Sequence, residues 1–443
     1  MKQIVLFLAI AGLYVAATNA EHKVVCYYDF ASDLREGVGR LTTKQLEAAL
    51  PYCSHLVYGY MIMYGDNYQV HSYGEVDEVD IRQQYFAEIK SFKQKYPELK
   101  VLLSVGGDRD IDVGYPRKYI ELLEATQEKQ KKFIESAHWL VEYYGFDGLD
   151  LAYQFPRNKP RKIHGVVGSF VKSFKKIFTG NEVVDPDADK HKQQFTRLVS
   201  DLHDKLHHDG YLLSLTVLPN VNSTWYFDIP KLNKLVDFVN LGTFDFYTPE
   251  RNPEEADYSA PLFYDNSEDR LPHNNVKFQT EYWNNQGFPA KKLNVGIPTH
   301  GNVWQLTDDS GNTGIPIVHH TAGPAPPSPL TNKHGLLSAP EICKLLTLPG
   351  IDVKMDKEAH ITHSTLGHYG YLPAEGKSRG LWVGYDDIDT VTKKAEFALV
   401  YAGGVALFHL GHDDYLGVCA KVSYPILRSI NQTFQDTINV KLI

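Results

Sequence analysis

Within the stretch Phe146–Pro156, the side chains with chemistry to offer are the carboxylates of Asp147 and Asp150 and the amide of Gln154. Read as a strand, the stretch alternates faces with period two. Leu149, Leu151 and Tyr153 fall on one face, and Asp150, Ala152 and Gln154 on the other. The first face is apolar enough to pack under a helix. The second directs a carboxylate, a methyl group and an amide at something, and a buried polar row needs partners. Such a row lies in a cleft or a wet core; the alternative is an ordinary half-exposed strand. A carboxyl group can donate or take a proton near working pH. An amide can donate a hydrogen bond but cannot release a proton.

The elements that must position these groups alternate between strand and helix. Runs rich in Val, Leu, Ile and aromatics predict strands over Lys23–Phe30, Ser54–Met63, Lys100–Gly106, Gly145–Gln154, Tyr211–Leu218, Val236–Phe246, Leu293–Pro298 and Gly404–Leu410. Near-continuous apolar runs of this kind suit parallel strands buried on both faces. Helical patterns lie over Thr43–Leu50, Gln83–Tyr96, Glu128–Tyr144, Lys190–His208, Ile229–Leu235 and Ile388–Tyr401. Eight strands in this alternation predict an α/β fold, a (β/α)8 TIM barrel, with a doubly wound open sheet as the alternative.

Phe146–Pro156 resembles the signature strand of the chitinases of glycoside hydrolase family 18, Asp-x-x-Asp-x-Asp-x-Glu. Asp147 and Asp150 match its first two positions. Ala152 stands at the third Asp, and Gln154 at the Glu that the resemblance assigns as general acid. Ser104-Val105-Gly106-Gly107 is similar to a second family motif, followed by Asp108. Gly242-Thr243-Phe244-Asp245 resembles Met-x-Tyr-Asp, with Gly242 for Met and Phe244 for the Tyr that holds the substrate's acetamido oxygen. On the seventh strand, His300 and Asn302 replace a Tyr and an Arg. On the eighth, Phe408 stands where the family sets a Trp under the sugar. The resemblance implies substrate-assisted glycosidase chemistry, and the departures fall on the residues that would perform it. Asp147, Asp150 and Asp245 are expected to persist as hydrogen-bonded structure, and Trp225 as a core anchor or a sugar platform.

The whole pattern is most similar to the imaginal disc growth factors, insect chitinase-like proteins that carry Ala and Gln in the same strand. That resemblance implies a secreted trophic factor, without enzymatic activity or cofactor, that cooperates with insulin-like signals in growth and in tissue or cuticle organisation. A non-catalytic lectin for chitin oligosaccharides is the second reading, and an active chitinase a distant third. The implied partners are a cell-surface receptor or another extracellular protein, and chitin oligosaccharides, met by a monomer.

Composition agrees with export. The 443 residues carry a net charge of −9, which argues against nucleic-acid binding by bulk charge. Met1-Lys2-Gln3, the apolar run Ile4–Ala17 and Thr18-Asn19-Ala20 read as a signal peptide over residues 1–20, too short for a comfortable membrane span. Asn222 and Asn431 head glycosylation sequons. Cys26, Cys53, Cys343 and Cys419 allow three pairings. Cys26 lies in the first strand and Cys53 at the start of the second, which favours Cys26–Cys53 with Cys343–Cys419. Scattered histidines, including His207-His208 and His319-His320, show no metal-ligand spacing.

Two segments interrupt the barrel pattern, which otherwise spans residues 21–301 and 387–443. The first, residues 157–189, opens with Arg157, Lys159, Arg161 and Lys162, carries an apolar stripe of Phe170, Phe174, Ile177 and Phe178, and is expected to be a loop at the cleft rim suited to a protein partner. The second, residues 302–386, contains the Pro-rich loop Gly323–Pro329, a helix over Ser338–Leu348 and short strands near Gly370–Leu372 and Gly380–Val383. It fits the small α+β domain that family members carry between the seventh strand and its helix.

Overall fold

The computed structural model describes residues 22–71, 79–158, 185–265, 270–355, 366–376 and 379–441. Residues 1–20, the cations Lys159, Arg161 and Lys162, and the stripe Phe170–Phe178 lie outside that set.

Eight parallel strands close on themselves: β1 (Lys23–Asp29), β2 (His55–Met63), β3 (Lys100–Gly106), β4 (Gly148–Ala152), β5 (Leu212–Val217), β6 (Phe238–Leu241), β7 (Leu293–Pro298) and β8 (Gly404–Phe408). Each pairs with its sequence neighbour, and β1 pairs with both β2 and β8, so the sheet is a barrel and the open alternative is excluded. Alternation sorts the side chains into two cores. Leu149 and Leu151 of β4 point outward and join Val101, Leu103, Leu213 and Leu215 against the helices. Val25, Tyr27, Val57, Leu102, Phe238, Ala406 and Phe408 fill the lumen.

Local sequence sets the approach to β4. The helix Gln127–Tyr144 buries Phe133, Ala137, Leu140 and Val141, then stops at Gly145, whose φ of 72° admits the left-handed cap. The Gly145 and Phe146 amides return to carbonyls of the last turn. Asp147 then accepts from the Val101 amide at 2.8 Å and pairs with Lys93 at 2.9 Å. Asp147 therefore braces the N-terminal end of the barrel, away from the cleft. It is half-buried rather than part of a buried core network, because it precedes the strand and faces solvent with Lys93.

Several element boundaries differ from those read off the sequence. β4 is shorter than Gly145–Gln154, since the chain leaves the ladder after Ala152. β6 stops at Leu241 instead of Phe246: the Thr243 amide turns back onto the Leu241 carbonyl, and Asp245 adopts φ 53°. The helix after the first interruption begins at Ala188, so Asp189 is already helical. Among the described residues, four helices were not legible as periodic patterns: Lys118–Glu124, Ser223–Tyr226, Val276–Asn285 and Pro425–Lys441. Val276–Asn285 carries a recognisable start, because the Asn275 side chain accepts from the Phe278 amide at 2.8 Å.

Between β7 and the helix Ile388–Tyr401 the chain builds a second, five-stranded antiparallel sheet. Its spatial order is Leu336–Ser338, His300–Leu306, Gly380–Tyr385, His368–Leu372 and Asp352–Met355. Its first strand starts at His300, two residues before the expected boundary, so His300 and Asn302 bridge barrel and sheet. Trp304 and Trp382 face each other across the ladder with centroids 5.5 Å apart, both fully buried. Their indole N–H groups donate to the carbonyls of Asn252 (2.8 Å) and Gly314 (3.0 Å), as buried indoles require. The helix Ala339–Leu346 has a Ser338–Glu341 capping box with Pro340 in its first turn. The disulfides join Cys26 to Cys53 and Cys343 to Cys419, the favoured pairing, and the second ties this helix to the segment after β8.

Candidate functional site

The C-terminal ends of the strands open into a cleft of about 1100 Å³, the face where such barrels hold their sites. Gln154, Phe244, Asp245 and Phe408 all line it, with Tyr60, Arg109, Asn220, His300 and Lys333.

Asp150 sits at the floor, with no exposed surface. It accepts from Ser104 Oγ (2.7 Å), Ser214 Oγ (2.6 Å) and Thr216 Oγ1 (2.9 Å). Thr216 contacts Tyr27 Oη at 2.5 Å, Asn240 Nδ2 donates to Tyr27 Oη at 2.6 Å, and Asn294 donates to Asn240 at 2.9 Å. Six strands thus share one buried polar chain. Burial pushes the Asp150 carboxyl above its ordinary range, against the opposing pull of Ser214, Ser104 and Thr216. Every visible oxygen of Asp150 is committed to this chain, so it acts as lumen structure.

Ala152 is fully buried and brings only a methyl group to the floor. Its carbonyl accepts from the Gly107 amide at 2.8 Å. Gln154, two residues on, turns its amide into the loop after β3: Nε2 donates to the carbonyls of Gly107 (2.6 Å) and Asp110 (3.0 Å). Asp110 is itself pinned, since both Lys118 and Tyr119 donate to its carboxylate, and so does the Met63 amide at 3.0 Å. Gln154 therefore braces the wall of the cleft. Beyond Asp110 the same loop raises Ile111, Val113 and Tyr115 as an exposed apolar rim.

The opposite wall is aromatic. Tyr27 stacks on Phe408 at 4.1 Å, Phe408 lies 5.0 Å from Phe244, and Phe244 meets His300 edge-on at 5.8 Å. Phe408 is only 3 % exposed, so its ring is part of the lumen core more than an open platform. Gly242 is required where it stands: a Cβ there would lie 2.6 Å from the Val217 carbonyl oxygen and 2.7 Å from Pro219 Cδ. Asp245 accepts from Asn302 Nδ2 at 2.8 Å and meets His300 Nε2 at 2.9 Å. Burial pushes its carboxyl up, but His300, Asn302 and Arg157 together outweigh that and hold it below the ordinary range.

The remaining candidates lie elsewhere. Trp225 packs against the main core from the short helix Ser223–Tyr226. Asn222 caps that helix through its side-chain oxygen, 3.0 Å from the Thr224 amide. Asn431 lies on the C-terminal helix, half-buried, with Nδ2 3.5 Å from the Tyr52 carbonyl. Arg157 pairs with Asp108 across the cleft rim. Arg109, Lys118, Lys333, His409 and His412 were missed, because none occupies a motif and only folding collects them. The one available signal was that His409 directly follows Phe408.

The sequence profile of the glycosyl hydrolases family 18 matches residues 23–413. The chitinase-like protein Idgf2 of Drosophila melanogaster is 55% identical over 97% of this chain and 99% of its own. Imaginal disk growth factor 6 of the same fly is 44% identical over 96% and 98%. Among solved structures, human YKL-39, described as a pseudo-chitinase with retained chitooligosaccharide binding properties, superposes with a TM-score of 0.73 at 25% identity, covering 94% of this chain and 100% of its own. No helix among the described residues is long and apolar enough to cross a membrane.

Proposed function

We propose, for a chain that belongs to glycosyl hydrolases family 18 and to its Idgf chitinase-like branch, that the cleft has stopped cutting and that the protein is an exported trophic factor. One observation carries the first half. The only side chain at the general-acid position is an amide, and Gln154 spends it on the Gly107 and Asp110 carbonyls. No proton can be delivered from there. Ala152 offers no carboxylate to orient an acetamido group, and Phe244 has no hydroxyl to hold one. Loss of general-acid catalysis alone costs on the order of 10²–10⁴ in rate.

The trophic reading draws its support from the resemblance to the imaginal disc growth factors, from the signal-peptide pattern of residues 1–20 and from the two sequons. In it the protein acts outside the cell on a surface receptor, alongside insulin-like signals, in growth and cuticle organisation. The test adds purified, folded protein to cultured insect cells with and without insulin. Dose-dependent proliferation, lost when the protein is heat-denatured, supports the reading; no response at any dose sinks it.

A lectin activity is compatible with this and has its own support. The cleft remains open at about 1100 Å³, with Tyr60 and Tyr115 on its walls, and retained chitooligosaccharide binding is described for YKL-39. Calorimetric titration with chitotetraose decides it: saturable binding supports a lectin, and a flat titration removes it.

A further inference from the structure

The saccharide cleft has one end whose charges a neutral sugar would leave unused. Most of the carboxylates that line the cleft already have partners. Asp29 pairs with Arg109 at 2.6 Å, Asp108 with Arg157, Asp110 with Lys118, and Asp245 with His300. Asp112 accepts from the Gly114 and Tyr115 amides at 3.0 and 3.2 Å, and Glu250 lies exposed on the outer rim. The cations are not matched in the same way. Lys333 lines the cleft and has neither hydrogen bond nor ion pair among the described residues. Arg35 donates to the Gly411 carbonyl at 2.8 Å and has no carboxylate partner among them.

The cleft near Lys333 is also lined by histidines that carry unpartnered ring nitrogens. His412 is 3 % exposed, lines the cleft, and has no hydrogen-bond partner at either ring nitrogen among the described residues. His409 and His300 each have an unpartnered Nδ1 as well. The ring of His412 lies 5.8 Å from that of His409 and 5.7 Å from that of His300. Burial, then the neighbouring cations and histidines, hold His409 and His412 far below the usual imidazole range. Both are therefore neutral; His412 keeps an N–H with no acceptor, and His409 keeps one at Nδ1 when its Nε2 accepts from Tyr60 Oη at 3.0 Å. A buried donor without an acceptor is costly, so these N–H groups call for an acceptor. Arg35, Arg109 and Lys333 disfavour a metal ion there, and no cluster among the described residues has metal-holding geometry.

We propose that this end of the cleft, lined by Lys333, His409 and His412, is an anion subsite for a carboxylate or sulfate group carried on an oligosaccharide. The inference rests on the reading of the cleft as a saccharide site and adds that its preferred ligand is acidic. The oxygens of the anion would accept from the imidazole N–H groups while Lys333 supplies the charge from the rim, giving charge-assisted hydrogen bonds in a partly desolvated site.

The experiment titrates the full chain with three tetrasaccharides in low salt: neutral chitotetraose, unsulfated hyaluronan tetrasaccharide and heparin-derived tetrasaccharide. At least one acidic ligand should bind about tenfold or more tighter than chitotetraose, and lose that advantage in high salt. Tighter binding of the hyaluronan fragment, whose only charges are carboxylates, assigns a carboxylate; tighter binding of the heparin fragment, which carries carboxylates as well, assigns sulfate only if its desulfated form loses the advantage. Lys333→Glu, at an exposed position, should abolish the advantage, read in the same variant as the ratio of acidic-ligand to chitotetraose affinity, with circular dichroism confirming the fold. Acidic ligands that bind no tighter than chitotetraose overturn the proposal, as does an advantage that survives Lys333→Glu. Failure of chitotetraose alone to bind would remove the neutral-lectin reading without touching the acidic one.

Discussion

Gln154→Glu puts the family's acid back into this cleft, and the structure says what will happen to it. In the parent, Nε2 donates to the Gly107 and Asp110 carbonyls. An ionised Glu in the same rotamer brings only acceptors to two carbonyl oxygens. Two hydrogen bonds are lost, at about 1 kcal/mol each, and carboxylate–carbonyl repulsion adds to them, for a total of about 2–4 kcal/mol at neutral pH. Protonation restores one donor, so the loss should shrink to about 1 kcal/mol in acid. The sign follows. The folded protein favours the protonated form, which raises the folded pKa above the unfolded value of about 4.3. The variant is therefore nearest to parent stability below that pH and falls away as pH rises through the folded value. Gln154→Leu separates the effects, since it loses the two bonds without adding charge, and its deficit should not vary with pH. Urea unfolding at pH 4 and pH 7 reads the stabilities, and a fluorogenic chitotrioside reads hydrolysis. Turnover should stay at the parent's level because Ala152 and Phe244 still lack their groups. A Gln154→Glu protein as stable as parent at pH 7 would refute the bracing role of the amide. Hydrolysis raised a hundredfold would refute the view that the other losses matter.

Three further outcomes follow from the same geometry. Lys118→Met strands the buried Asp110 carboxylate with only Tyr119 and the Met63 amide as donors; it should cost about 3–5 kcal/mol in urea unfolding, and Asp110→Asn in the same chain should recover most of it. Gly242→Ala must push a methyl group against the Val217 carbonyl and Pro219, so about 1–3 kcal/mol should be lost, read as a lowered unfolding midpoint. Burial pushes the Asp413 carboxyl up to about 7, although the Leu427 and Asp414 amides donate to it. Its contribution is therefore fully present below about pH 4 and is lost as pH rises through about 7, with a ceiling of about 4 kcal/mol; Asp413→Asn should flatten that part of the stability–pH curve, and an unchanged curve would show that the buried carboxyl is already ionised in acid.

Much of the fold was legible because parallel barrel strands are buried on both faces and so advertise themselves as apolar runs. The barrel strands that frame Asp150 could be placed from such runs, and the alternation of Leu149 and Leu151 with Asp150 survives unchanged in the structure. The identities at Ala152, Gln154, Phe244 and Phe408 were equally open to reading, since a missing carboxyl or hydroxyl is a property of the residue itself. The position of Asp147 was not, because a residue at a strand's first turn can face either end of a barrel, and only the pairing with Val101 and Lys93 settles which. Nor could the sequence say what the Gln154 amide holds, since Gly107 and Asp110 come from another strand's loop. The same is true of Lys333, His409 and His412, which belong to two distant segments. Closure of the barrel and the docking of the second sheet bring them to one wall, so their meeting is a tertiary fact. Local patterning determines which elements form and which groups are present; long-range packing determines which of those groups face each other.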